Sequence, residues 1–403
     1  MHWINVEIVT SLRKSLVPHS RGGEHLGGSE ESFEAPYVSN RVRSHAWRRL
    51  RHALPKTADA EAQTAKERRF HRCMRRMPQK PSKRKFKRLF LAADLHGSEV
   101  TFRKFLSAAT FYQADALLIG GDLTAKSITP IVRQRDGRYQ TRLAGAVREN
   151  LSESELEPIE KAIADSGPYP VRMTEDEYAR LRENPDKVES LFTDRMIDQI
   201  RRWTEMAERH LAPLDIPLYW IGGNDDKPEA LLHAESTPHV HYIDEKVARF
   251  DEDHEILGFG WTNPSPWHTP RELSEDHLKK RLDPLLSRVE DPAHCIYLMH
   301  APPYGTGLDI APKLDTSTDP PRPLTQGGQE ILIPVGSTSF REAIIETQPL
   351  LGLHGHIHET KNAAKLKRTV CVDPGSEYSS GTLRGAIINL ERDRVLSYQF
   401  TTG

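Results

Sequence analysis

The sequence predicts an α/β protein containing a parallel sheet, and three observations carry that expectation. An apolar run, RLFLAAD at 88–94, has the continuity of a buried strand. An amphipathic helix pattern follows, EVTFRKFLSAATFYQ at 99–113. A second buried run, DALLIGGD at 115–122, ends in glycines. Strand, helix, strand in that order needs a crossover helix and therefore parallel pairing.

The later elements extend the pattern. Residues 124–190 break the rhythm and read as a small α+β insertion. TPIVRQRDGRYQTRL contains two extended runs joined by Asp136-Gly137, a hairpin signal. A charged helix at 152–165, the extended piece YPVRM and a helix opening at Thr174 complete it. A long helix at about 190–212 leads to the strand IPLYWIGG at 216–223. The second half is strand-rich, with candidates at 239–243, 254–259, 294–299, 350–354, 369–372, 384–390 and 394–400. Helices are expected at 273–288 and 338–347.

Composition bounds the function classes. The chain has 403 residues, 37% of them hydrophobic, enough for a large core. No apolar stretch approaches a membrane span, and MHWINVEIVTSLRK has the wrong flanks for a secretory signal. The expectation is a cytoplasmic protein. Cys73, Cys295 and Cys371 are too few and too scattered for a disulfide framework or a zinc knuckle. Cys295 and Cys371 read as small buried hydrophobes. Net charge is −1, yet residues 1–88 hold 21 Lys and Arg against 8 Asp and Glu. Residues 1–86 therefore read as a basic, flexible extension with basic helices near 41–53 and 60–77, and residues 87–403 as the folded domain. Nucleic acid is a conceivable partner for the arm, but a solvated leader is the favoured reading, because aromatics are few and no binding motif appears.

Five short motifs each follow an apolar run. They are Asp94-Leu95-His96, Gly121-Asp122, Gly223-Asn224-Asp225, His300 after CIYLM, and Gly355-His356-Ile357-His358. Each places polar groups where a strand meets its loop, which is where α/β sheets collect ligands. Asp94 and His96 are two apart, as are His356 and His358, so extended backbone would aim both members of a pair to one side. Two Asp, one Asn and four His offer nitrogen and oxygen donors without sulfur, suited to Mn, Fe or Zn. Seven donors exceed one tetrahedral ion and fit two divalent metal ions sharing a bridging carboxylate. Singly each motif is weak, since a GD is often a turn and a lone His is more often packed than ligating. The order, the strand context and the complementary donor set together are specific.

This ordered set resembles the calcineurin-like metallophosphoesterase superfamily, over about residues 88–400. HAPPYGTGLD, GLHGHIHET and VDPGSEYSSGTLRGAIINL look like the Icc-related predicted phosphoesterases. The resemblance implies a four-layered αββα sandwich of two mixed sheets. It implies that Asp94, His96, Asp122 and His358 hold a first metal, that Asp122 bridges, and that Asn224, His300 and His356 complete a second. A bridging hydroxide would attack a phosphomonoester or phosphodiester, a small molecule or nucleotide, in line and without a covalent intermediate.

One position departs from the superfamily pattern. The residue after the motif Asn is Asp225 where many members carry a His that helps the leaving group. Asp225 is divided between catalytic helper and structural cap, and Asp226 reads as the cap of a helix starting in DDKPEALL. A competing reading from another class is a binding module for a phosphorylated ligand or protein on the same scaffold. His354 reads as packed behind the site, and His239, His241, His254, His268 and His294 as structural or surface residues. Tyr304 and Gly305 are split between a substrate mouth and a plain turn. The Gly375-Ser376 turn and Arg384 read as structural. The 124–190 insertion, following a ligand loop, is expected to roof the site and set substrate choice.

Overall fold

Apolar runs and helix stripes sort into a mixed α/β fold with several mixed sheets in the computed structural model, which describes residues 85–318 and 320–403. The basic segment and its two expected helices lie outside the described residues, save for Lys85 and Phe86. Among the described residues no helix is long and apolar enough to cross a membrane.

One sheet has six strands, in the order Val395–Thr402, Arg384–Leu390, Lys87–Ala92, Ala116–Ile119, Leu218–Trp220, Val240–Tyr242. The last four run parallel, and the first two join antiparallel at one edge. A second sheet has five strands, Glu255–Phe259, Cys295–Met299, Leu351–Leu353, Thr369–Asp373 and Asn362–Leu366. Its first four are parallel, and Asn362–Leu366 closes the edge antiparallel.

Alternation along each strand decides what each face meets. Leu89, Leu91, Leu118 and Ile388 of the first sheet pack with Ile296, Leu298, Leu353 and Val372 of the second in one buried cluster. Phe90, Leu117, Ile119 and Trp220 point the other way, against the helices Glu99–Phe111 and Pro185–Leu211. Phe259, Tyr297 and Cys371 pack with Leu278, Leu282 and Phe340 of the helices Glu275–Leu286 and Thr338–Thr347. Near-continuous apolar strands thus arise because both faces are covered. Cys295 and Cys371 are buried thiols.

The helix Glu99–Phe111 buries Phe102, Phe105, Leu106 and Ala109, a spacing of three and four. Ser98 caps it, accepting from the Thr101 amide. Phe102 stacks on Trp203 with ring centroids 4.0 Å apart. Glu99 accepts from Arg202 (2.6 Å) and from the Trp203 indole (3.1 Å), tying the two helices. The long helix starts at Pro185, five residues before its expected start, because Asn184 caps it and Pro185 occupies its first turn.

Residues 128–174 form their own four-stranded sheet, in the order Ala146–Leu151, Tyr139–Leu143, Ile128–Arg133, Tyr169–Thr174. The Asp136-Gly137 turn joins an antiparallel pair, with Arg133 opposite Tyr139. The strand Ala146–Leu151 was not anticipated. Five of its six residues are exposed, so it carries no alternation to read. Thr174 and Glu177 form a reciprocal capping box at the start of Glu175–Arg182.

Candidate metal centre

All five motifs lie just beyond the carboxyl ends of parallel strands, three from the first sheet and two from the second. Backbone bonds carry the pairing past the strands. Asp94 N donates to Gly121 O (3.0 Å), His96 N to Asp122 O (3.0 Å), and Gly355 N to His300 O (2.9 Å). The loops are not extended, however. Asp94 (φ 55°), His96 (φ 42°), Asp122 (φ 52°) and His356 (φ 72°) are all left-handed. The pairs therefore converge through tight left-handed turns, and the expectation from extended spacing is corrected. Non-glycine residues held there cost about 1–3 kcal/mol each, and such strain clusters at functional sites.

The side chains meet in a small volume. Asp122 Oδ2 stands 3.5 Å from His96 Nε2 and 3.4 Å from His300 Nε2. Asp94 Oδ1 stands 3.9 Å from each of those nitrogens and 3.5 Å from His358 Nε2. His96 Nε2 and His358 Nε2 are 3.0 Å apart. Ligand atoms about 2.0–2.1 Å from one ion are separated by roughly 3.0–3.4 Å, so these spacings suit shared coordination. Among the described residues three overlapping groups could hold an ion, namely Asp94–His96–His358, Asp94–Asp122–His300 and His96–Asp122–Asp225. His356 belongs to none of them. Its ring lies edge-on to His300, centroids 5.2 Å apart, and its amide donates to both Asp94 carboxylate oxygens.

Neighbours fix which atoms face inward. His300 Nδ1 donates to Gly120 O at 2.6 Å, which turns the Nε2 lone pair of the neutral ring toward the cluster. Asn224 Nδ2 donates to Thr269 Oγ1 (2.9 Å), which in turn donates to Glu272 (2.6 Å), so Asn224 Oδ1 faces His300 Nε2 at 3.0 Å. With the ring neutral, His300 Nε2 then faces two further acceptors, Asn224 Oδ1 at 3.0 Å and Asp122 Oδ2 at 3.4 Å, a conflict that a proton on Nε2 or a cation beside it would relieve. The donor set therefore fits metal ions.

Electrostatics agree with this reading. Burial penalises a charge on His300, but Asp122 and Asp94 outweigh it and push its pKa up to about 9. A proton on His300 thus stands where a metal would. Burial drives His356 down to about 3 and His96 well below its usual value, leaving both neutral. Burial would raise the Asp94 carboxyl, yet His358, with His300 and His356 behind it, draws it down to about 2.

Around the centre, the structure gives Asp226 and Asp225 partners that sequence reasoning did not assign, and adds Lys126 and Tyr378, which it did not name. Asp226 is fully buried and caps no helix. Its carboxylate accepts from Leu123 N (3.0 Å), Thr124 N (2.8 Å), Thr124 Oγ1 (2.6 Å) and Gly223 N (2.8 Å), joining two ligand loops. The short helix Pro228–Leu231 has Lys227 at its cap position and no side-chain cap bond, so the capping role expected of Asp226, and weighed for Asp225, is corrected. Asp225 N donates to Asp122 Oδ1 (2.9 Å), and its carboxylate lies 3.0 Å from Lys126 Nζ. Tyr378 packs its ring on His96 (4.6 Å) and edge-on to His358 (5.8 Å). Ser376 Oγ donates to Asp94 O, and Arg384 to His358 O.

The blander expectations also resolve. His354 is buried behind the site, its Nδ1 facing the carbonyls of Met299 and Ala301. His239, His254 and His294 pair with Glu208, Asp251 and Asp393. Gly305 sits in a turn wrapped round Asp309, whose carboxylate accepts from the amides of Gly305, Thr306, Gly307 and Gly336.

No family model matches the chain. An uncharacterized protein of Methanocaldococcus jannaschii is 28% identical over 198 residues, 48% of this chain and 80% of that protein. Among solved structures, TT1561 of Thermus thermophilus aligns with a TM-score of 0.41 and 15% identity, over 79% of this chain and 98% of that one. A novel archaeal phosphodiesterase aligns at 0.28 and 9% identity, over 78% and 99%. The sulfate thiohydrolase SoxB of Thermus thermophilus aligns at 0.30 and 9% identity, over 81% and 57%.

Proposed function

We propose that residues 87–403 form a calcineurin-like metallophosphoesterase domain, a four-layered αββα sandwich that hydrolyses phosphomonoesters or phosphodiesters with two divalent ions, Mn, Fe or Zn. The observation that carries this reading is the convergence of three buried oxygens, Asn224 Oδ1, Asp122 Oδ2 and Asp94 Oδ1, within 3.0–3.9 Å of His300 Nε2. Asp94, His96, Asp122 and His358 are assigned to one ion, and Asn224, His300 and His356 to the other, with Asp122 shared. The position of Asp122 Oδ2 between His96 and His300 supports the sharing. His356 is the assignment with least geometric support, and the Asp225 carboxylate, grouped with His96 and Asp122, is an additional candidate ligand.

When bound, such a pair supplies Lewis-acid charge for phosphoryl oxygens and makes water acidic enough to act as a nucleophile at neutral pH. The chain's own residues do the rest. Buried neutral imidazoles present lone pairs, the Gly120 carbonyl locks His300, and Thr269 locks Asn224. Asp94, His96, Asp122, Asn224 and His300 are buried, whereas His358, His356 and Asp225 are half-buried. Substrate therefore approaches from the His358–Asp225 side.

The test is metal analysis of the full chain coupled to turnover of p-nitrophenyl phosphate and bis-p-nitrophenyl phosphate. Two ions per chain and metal-dependent release of nitrophenolate, abolished by Asp122→Ala, are expected. Fully metallated protein inert on broad monoester and diester panels would refute the hydrolase reading and leave a phospho-ligand binding module.

A further inference from the structure

We propose that Lys126 is a substrate-binding cation of this centre, gripping a phosphoryl oxygen at the mouth of the metal cluster. This rests on the phosphoester reading above and names a cation paired with Asp225, the residue that stands where the superfamily pattern has a His, as the group that meets the substrate's charge.

The placement comes from the chain upward. Lys126 follows Asp122 by four residues in GGDLTAK. That short segment is fixed at each step. Thr124 is held by Asp226 through its amide and its hydroxyl. The Ala125 amide donates to Tyr169 Oη (3.1 Å). The strand Ile128–Arg133 begins two residues later. The lysine backbone therefore has little freedom to carry its side chain away.

Exposure locates the ammonium on the open side. The Asp94, His96 and His300 side chains are fully buried, while His358 is 29% exposed, Asp225 12% and Lys126 40%. Lys126 Nζ lies 3.0 Å from Asp225 Oδ2, and Asp225 N is itself bonded to Asp122 Oδ1. Tyr378, which covers the His96 ring, lies within electrostatic range of the same ammonium.

A partly exposed ion pair alone contributes little, too little to explain a lysine anchored at this spot. An ammonium has three donors, and one carboxylate occupies only part of that capacity. The remaining ammonium donors face the opening, where a tetrahedral oxyanion enters. Lysine binds phosphate as a point charge and tolerates both ester classes.

Inorganic phosphate is the probe, titrated by calorimetry into the full-length metal-loaded protein, with metal content measured on each sample. Lys126→Met is expected to weaken phosphate binding by about tenfold or more and flatten its salt dependence, at unchanged metal content. Lys126→Arg is expected to retain affinity within a few-fold of the parent. Three results would each overturn the proposal. One is phosphate affinity in Lys126→Met within about twofold of the parent. Another is loss of metal from that variant. The last is no phosphate binding by the parent. The two readings separate cleanly. Lys126-dependent phosphate binding without turnover upholds the lysine and sinks the hydrolase. Turnover with Lys126-independent phosphate binding does the reverse.

Discussion

Replacing Asp226 tests whether the centre is organised by bonds between its loops. Its carboxylate is fully buried and accepts three backbone amides, from Leu123, Thr124 and Gly223, and the Thr124 hydroxyl. Asp226→Ala strands those three amides. At about 1–3 kcal/mol for each buried unsatisfied donor, the gross loss is roughly 3–9 kcal/mol. The native carboxylate also bears a cost, since burial and then Asp122 push its pKa up to about 6. A net loss of about 3–6 kcal/mol is expected, a large part of a typical domain's stability. Asp226→Asn is the sharper probe. Oδ1 serves Thr124, whereas Oδ2 serves both Leu123 N and Gly223 N. An asparagine that keeps Oδ1 on Thr124 points an NH₂ at two N–H groups, for an expected loss of about 2–4 kcal/mol. Urea denaturation midpoints of the metal-free chain measure the loss, and metal content after reconstitution reports on the loops. Either variant unfolding like the parent and binding two ions would show that Asp226 does not join the loops.

Three further outcomes follow from the same geometry. Thr269→Val removes the acceptor that orients Asn224, and about 10–100-fold weaker binding of one ion is expected by chelator competition, with the other ion unaffected. In the metal-free chain His300 binds its proton below about 9, and a metal must displace it. Metal affinity should therefore rise with pH up to about 9 and flatten above, with about one proton released per His300 engaged, read by calorimetry in buffers of different ionisation enthalpy. Gly223→Ala would set a methyl group against the Asp122 carboxylate and amide, so reduced metal content and a lower denaturation midpoint are expected.

The candidate ligands were legible because their chemistry and their strand context are both local. An apolar run ending in Gly-Asp or Gly-Asn announces a strand and its loop within about eight residues. The residues that orient the ligands were not legible, because their partners are distant in sequence. Thr269 serves Asn224 across 45 residues, and Ser376 serves Asp94 across 282. Asp226 shows how a local signal misleads. An Asp near a Pro reads as a helix cap, but three donors from the facing loop and the Gly223 amide of its own loop engage the carboxylate instead. The start of the long helix was missed because periodicity begins at Val188, while the cap signal Asn184-Pro185 lies upstream of it. The backbone handedness of Asp94, His96, Asp122 and His356 had no sequence signature, since none of them is a glycine.

That handedness gives the 124–190 segment a second role beside the expected roof. Four non-glycine residues in left-handed conformations oppose folding by about 1–3 kcal/mol each, so something must hold the loops in place. Part of the support comes from the segment itself. Ser98 Oγ donates to Asp165 O (2.6 Å), Gly167 packs against the His96 carbonyl and the Tyr378 ring, and Tyr169 accepts from Ala125 N. A side chain at Gly97 would strike the Gly167 carbonyl, so the loops meet backbone to backbone. A roof alone would contact the opening and leave the ligand loops untouched. These contacts instead fall on the far ends of the Asp94–His96 and Asp122 loops, where they resist relaxation of the strained turns. The segment that braces the turns is also the one that carries Lys126, whose Nζ lies 3.0 Å from Asp225 Oδ2, so the strained loops and the ion pair beside them share one support.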